Sequence, residues 1–272
     1  MSLLIRTTLI SLMVFFTTLA SAQAHRFWLL PSTFTLSGEQ EWITVDAAIS
    51  NNLFFSNHVA PQLADLHVTA PDGSPVEKNN GMQGKMRTTF DVELKHQGTY
   101  RIADRGDMYF VMWKENGETL RRRGSLEQLK GQGLHEKQDA RFMQVKRRVE
   151  SYVTLGAPST DIFKAEGDGI EIQPVTHPND VFTGEEVSFL FLKDGKAAEG
   201  LEVTLIRGQD RYRNDEQALK LKTDKDGKIS FTLTEAGRYW LSTGHRGQNE
   251  KVDGLDLTRV HSYVLTFEAL QP

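Results

Sequence analysis

The sequence predicts an all-β protein made of two immunoglobulin-like β-sandwich units joined by a charged insert. Three observations predict it. Short stretches alternate apolar with polar residues and favour β-branched and aromatic side chains, as in Glu41-Trp42-Ile43-Thr44-Val45-Asp46-Ala47 and Leu201-Glu202-Val203-Thr204-Leu205-Ile206. That is the period-two signature of strands with one buried face. Turn clusters divide these stretches at close intervals. In Pro71-Asp72-Gly73 the proline fixes φ and the glycine accepts a positive φ. Finally, Gly98-Thr99-Tyr100 and Gly237-Arg238-Tyr239 open two similar late strands, as at the last strands of an immunoglobulin-like sandwich.

Taken in order, residues 1–24 read as a secretory signal peptide. Arg6 is the positive n-region, Leu9 to Leu19 the apolar h-region, and Ala22-Gln23-Ala24 the small-x-small cleavage pattern. Residues 25–113 form the expected N-terminal sandwich, with strands at 41–47, 65–70, 88–94, 96–102 and 108–113. Residues 114–148 are strongly charged and low in apolar residues, with Arg121-Arg122-Arg123 and Lys146-Arg147-Arg148. Because Glu118, Glu127, Glu136 and Asp139 are interspersed, a solvated helix or inserted loop is expected here rather than an anion-binding or membrane-surface patch. Residues 149–272 form the expected C-terminal sandwich. Asp224-Lys225-Asp226-Gly227 superficially resembles a calcium loop but lacks its ligand pattern and terminal glutamate, and reads as a hairpin turn.

Composition narrows the function. The chain has 272 residues, a formal charge of −4 and no cysteine. It therefore has no disulfide, thiolate metal site or cysteine nucleophile, and its charge argues against general nucleic-acid binding. After the signal no apolar run approaches the roughly twenty residues of a membrane helix. An exported, periplasmic protein that is not integral to the membrane is expected. Enzyme signatures are poor: there is no G-x-S-x-G elbow, Walker loop or G-x-G-x-x-G at a strand–helix junction.

The most informative residue is His25. Cleavage after Ala24 would give it a free α-amine beside its imidazole, groups that titrate near about 8 and about 6.5. Together they form a bidentate nitrogen chelate suited to copper(II), nickel(II) or zinc(II) rather than magnesium or calcium. Of the eight histidines, His67, His96 and His135 read as surface or structural, and His261 opens the last strand. His58 follows the polar–apolar stretch 51–57. His177 sits beside Pro178 in a stiff loop, and His245 lies at a strand end. None of the eight forms a close ligand pair such as H-x-x-x-H, so any site has to be assembled by the fold.

The start His25-Arg26-Phe27-Trp28-Leu29-Leu30-Pro31-Ser32 resembles the mature start of exported proteins of the NikM-type nickel-transport-complex family, a domain of unknown function that begins Ala-His-x-x-Trp-Leu-x-Pro. Gly156-Ala157-Pro158, the run Gly169 to Asp180, Asp194-Gly195-Lys196 and Tyr263-x-x-x-Phe267 are similar too. The resemblance spans nearly the whole chain after the signal. It implies a periplasmic β-sandwich accessory of a nickel- or cobalt-type uptake system, with a membrane or outer-membrane transporter as partner and no known enzymatic activity. It carries over His25, Trp28 and His177, and more weakly His58 and His245. The expected site is His25, through amine and imidazole, completed by one or two of His58, His177 and His245. Asp180 is expected to add an oxygen ligand or orient His177, and Trp28 to wall the site. The ion, nickel, cobalt, copper or zinc, is left open. Two alternatives stand beside this reading: a copper oxidase of the histidine-brace kind, and a non-metal immunoglobulin-like ligand-binding or adhesion module.

Overall fold

The computed structural model describes residues 25–272; the expected signal segment, residues 1–24, lies outside them. The chain runs through β1 (Arg26–Pro31), β2 (Thr35–Leu36), β3 (Glu41–Ser50), β4 (Leu66–Thr69), β5 (Pro75–Val76), β6 (Asn79–Gln83), β7 (Thr88–Leu94), β8 (Gly98–Glu115) and β9 (Glu118–Gly124). A short helix α1 (Leu126–Gly131) leads to β10 (Arg141–Leu155). The second half adds β11 (Ile170–Pro174), β12 (Glu186–Lys193), β13 (Lys196–Ala197), β14 (Glu202–Arg207), β15 (Leu219–Lys222), β16 (Lys228–Thr232), β17 (Gly237–Val252) and β18 (Leu255–Ala269).

These strands make an all-β protein with three sheets. The first has the order β1-β3-β7-β6, and the third β11-β12-β13 with β16 on β12. Between them a ten-stranded central sheet runs β15-β14-β17-β18-β10-β8-β4-β5, with β2 on β10 and β9 on β8. The first sheet packs on the β4–β8–β10 half around Trp28, Leu29, Val45, Phe90, Tyr100 and Val153. The third sheet packs on the β14–β17–β18 half around Phe189, Phe191, Leu241, Tyr263 and Phe267. Each large side chain removed from water here contributes about 1.5–3 kcal/mol. Two sandwiches therefore share one sheet, joined where β10 pairs with β18 in parallel.

The two tyrosine motifs do the same job. Tyr100 Oη donates to the His96 carbonyl at 3.0 Å, and Tyr239 Oη donates to the Glu235 carbonyl at 2.6 Å. Each pins the corner four residues before it, the tyrosine corner of immunoglobulin-like sandwiches. Gly98 (φ 122°) and Gly237 (φ 142°) begin both strands, and a Cβ at Gly98 would meet Pro71 Cβ at 2.9 Å. The Asp224 stretch is a turn: Asp224 Oδ1 accepts the Asp226 and Lys228 amides, each at 2.9 Å.

Residues 114–148 differ from the expected insert. β8 runs on to Glu115, β9 folds back on it, and β10 passes without a break from Arg141 to Leu155. Eighteen residues of β8 at about 3.3 Å each extend about 60 Å, well past the end of the first sheet. The reason lies in the alternation beneath the charges. One face of this extension carries Val111, Trp113 and Phe142, which with Leu255 and Leu257 bury themselves under Leu129 and Leu134. Within the stretch expected as a solvated helix or loop, only the short α1 is α-helical, capped by a reciprocal pair: Ser125 Oγ accepts the Gln128 amide and Gln128 Oε1 accepts the Ser125 amide.

Candidate metal centre

The site begins with strand register. Arg26 pairs with Ser50 across β1 and β3, so His25 lies beside Asn51 where β3 ends. The chain then makes a loop, residues 51–58, closed by an Ile49–Val59 bridge in which each amide donates to the other's carbonyl at 3.0 Å. This returns His58 to His25. Their rings stack at 3.7 Å between centroids and 20° between planes, and His25 Nδ1 lies 2.9 Å from Asn51 Oδ1. Both rings are exposed.

The loop owes its shape to buried groups. Trp28 Nε1 donates to Ser50 Oγ at 2.7 Å, and Ser50 Oγ donates to the Asn52 carbonyl at 2.6 Å. The ring of Phe54 meets Trp28 edge-on at 5.7 Å. Asn57 Oδ1 accepts the Asn51 amide at 2.8 Å. From the other sandwich Asp210, almost fully buried, accepts the Leu53 amide at 3.1 Å and the Arg26 guanidinium at 2.7 Å. Arg26 also bonds Glu216 and lies over the Trp240 ring at 5.9 Å, while Trp240 Nε1 donates to the Phe27 carbonyl at 2.9 Å. Trp28 is thus a buried buttress beneath the loop, 2% exposed.

Of the sequence-predicted ligands, the fold brings His25 and His58 together and keeps the others apart. His177 is engaged at both nitrogens: Nδ1 accepts the Asn179 amide at 3.1 Å, and Nε2 meets Thr99 Oγ1 at 3.0 Å. Its edge-on contact with Phe163, at 5.4 Å, completes a structural setting, and burial lowers its pKa. Thr99 is the second residue of β8, whereas a cavity shared by Phe27, Val59, Gly106 and Met108 places the His25 end of β1 further along that strand. The separation along β8 is about 25 Å. Asp180 is exposed beside His177, its amide donating to the His177 carbonyl at 2.9 Å.

His245 belongs to another pair. It lies opposite His261 across β17 and β18, and His261 lies beside Lys146 of β10. That row shares a sheet face with Phe142, the reverse of the face through which Val145 and Arg147 approach Phe27. His261 is buried, its Nδ1 without a hydrogen-bond partner and 3.8 Å from Asp194 Oδ1. Burial lowers the pKa of both histidines, with Lys193 adding to the effect. Among the described residues no group of three or more His, Asp or Glu is placed to hold a metal ion.

In chemical terms the first pair offers two imidazoles. Ring lone pairs lie in the ring planes, so two stacked rings do not aim at one point; convergence on an ion requires rotation of the exposed side chains. The donors are nitrogen and their surroundings neutral amides, which fits a borderline transition ion and not calcium or magnesium. Asn51 and Asp210 escaped the sequence reading. Asn51 was accessible through the register opposite His25, but nothing in the sequence links Asp210 to a loop 157 residues away.

A family profile described as a domain of unknown function, DUF4198, matches residues 22–247. The chain belongs to the DUF4198 family. No curated protein matches this DUF4198 chain. Among solved structures it is similar to the D0–D1 domains of intimin, at 14% identity, 88% of this chain, 96% of that chain and a TM-score of 0.20. A DUF4785 family protein from Legionella pneumophila has 9% identity, 79% and 50% coverage and a TM-score of 0.22. The full ectodomain of mouse nectin-like molecule 4 has 7% identity, 92% and 65% coverage and a TM-score of 0.20. Scores this low carry no argument about function.

Proposed function

We propose that this DUF4198 protein is an exported, periplasmic transition-metal-binding accessory of a NikM-type uptake system, holding an ion for a membrane or outer-membrane transporter. The observation that carries the reading is the His25–His58 pair, whose rings lie 3.7 Å apart although 33 positions separate them in the chain. Export with cleavage after Ala24 would add the His25 α-amine as a third nitrogen. The chelate then uses that amine and His25 Nδ1, with His58 as the remaining protein donor. Three donors leave coordination positions open on nickel, cobalt, copper or zinc. An open, exposed site suits an ion that must be passed on. His177, His245 and Asp180 have no part in this site, and Trp28 supports it from beneath.

The test is calorimetric titration of the four ions into protein processed in a periplasm, beside a version with one extra residue before His25 and a His58→Ala variant. Tight binding lost in both versions supports the site. Equal binding in all three removes it, and no binding at all favours the non-metal immunoglobulin-like module. The same three nitrogens also suit the histidine-brace copper oxidase, and that observation keeps it as a second reading. Copper-dependent oxygen consumption with a reductant distinguishes the oxidase from a carrier.

A further inference from the structure

The extension of the central sheet is covered on one face only. The uncovered face carries Met108, Phe110 and Met112 on β8 and Met143 and Val145 on β10. Register sets Phe110 against Met143, and Met108 against Val145. Met108 and Met112 are 40% and 41% exposed. On the adjoining β9, Arg123 pairs with Phe110 and Arg121 with Met112, so both arginines flank the apolar residues on the same face. Among the described residues β9 bonds β8 on one side and no strand on the other. Three nearby cations are matched, Arg105 to Glu166, Lys114 to Asp139 and Lys137 to Glu115. Among the described residues no carboxylate pairs with Arg121, Arg122 or Arg123. Beside them a cavity of about 540 Å³ opens between Phe27, Val59, Met108, Phe110, Arg123 and Val145; two carboxylates also line it, Asp104, which Arg147 neutralises, and the exposed Asp65.

Arginine, methionine and aromatic residues with few carboxylates is the composition that distinguishes protein interfaces from ordinary surface. An unpaired strand edge takes up extended segments by backbone hydrogen bonding. We propose that β9 and the face beside it dock an extended acidic segment of a partner protein, with one apolar side chain of that segment seated in the cavity. Charge selects the partner. Residues 105–148 hold 11 Arg and Lys against 6 Asp and Glu, within a chain of net charge −4. A second copy pairing through the same edge would set three arginines against three. The site stands on geometry independent of metal binding, yet the cavity touches Val59, next to His58, so a partner seated there lies beside the candidate metal site.

The probe is a fluorescein-labelled, glutamate-rich peptide with one phenylalanine, titrated against metal-free protein by fluorescence anisotropy. Binding should weaken as salt is raised. An Arg121→Glu/Arg123→Glu variant should lose about tenfold or more and prefer the lysine-rich counterpart. Two peptides N-methylated on alternate amides test the strand edge, because only one set of amides faces β9. One should bind and the other fail. Phe110→Glu, which puts a charge in the cavity wall, should remove the preference for the phenylalanine peptide over an all-glutamate one. The proposal is overturned if the peptide does not bind, if the arginine variant binds it equally, or if both methylated peptides bind. Stronger binding to phosphatidylglycerol vesicles than to the peptide, abolished by the same reversal, would overturn it in favour of a membrane surface.

Discussion

Two histidine pairs sit on this molecule in contrasting ways. His25 and His58 are exposed and stacked at the end of the first sheet, held in place by a loop. His245 and His261 face each other across β17 and β18, one partly and one fully buried. The first pair is cheap to rearrange, because exposed rings turn freely and meet only Asn51. The second is fixed by the sheet ladder, with His261 buried beside Asp194 and with Lys193 and Lys146 close by. Proximity alone does not make a metal site. What separates the pairs is freedom to converge.

The first pair depends most on its anchor, Asp210, which holds the loop from the other sandwich. Asp210→Ala takes away the buried partner of Arg26, leaving it the half-exposed Glu216, and leaves the Leu53 amide without its acceptor. Leaving a buried charge wholly unpaired costs about 3–5 kcal/mol, and the remaining Glu216 contact sets the expected loss at the lower end of that range. Urea unfolding should show that loss, and metal titration should show the site weakened although Asp210 touches no ligand. Full stability in this variant would mean that loop 51–58 holds itself.

Next comes a double dissociation. His58→Ala should lower metal affinity about a hundredfold or more, beyond what losing an orienting partner costs, while changing stability by no more than about 0.5 kcal/mol, as surface substitutions do. His261→Leu should leave metal affinity unchanged. It removes a buried nitrogen with no partner, so stability should hold or rise. The opposite pattern in calorimetry and unfolding would move the metal site to the second pair.

These pairs also show what could be read from sequence. Strands, turns and the two Gly-x-Tyr strand openings were legible because each rests on local pattern: alternation, a glycine with positive φ, a repeated tripeptide; that both tyrosines pin a corner came from the structure. The central sheet was not. The strand at 108–113 was legible, but charged residues on the outward positions of β9 and β10 hid its continuation and the partner Phe142, so β9 and the first half of β10 read as insert. For the site, His25 stood out through the cleavage pattern before it, and His58 as a loop histidine, but their meeting depends on loop closure at Ile49 and Val59. His177 looked like a ligand because Pro178 stiffens it. The stiffness serves Asn179 and Thr99 instead.

A smaller effect appears with pH. His177, His245 and His261 all have pKa values lowered by burial. Above the unfolded value of about 6.5 both states are neutral and the stability linked to these groups is present in full. As pH falls through that value toward the lowered folded ones, the unfolded chain takes protons that the folded chain declines, and stability is lost. Denaturant midpoints should therefore drop on mild acidification, and His261→Leu should flatten the drop. An unchanged slope would leave His177 and His245 to account for it.

The smallest effect concerns Asn51, and its sign is the informative part. In the stacked arrangement the amide oxygen holds His25 Nδ1, the same nitrogen that a chelate with the α-amine requires. An exposed hydrogen bond of about 0.5–1 kcal/mol then opposes capture, and Asn51→Ala should tighten metal binding about two- to fivefold. Exchange should slow in step, since the competing oxygen would no longer help release the ion. A loss of about tenfold would instead mean that Asn51 orients the ring while Nε2 takes the metal. In that case the α-amine could not share a chelate ring with that nitrogen, and the site would survive an extra residue placed before His25.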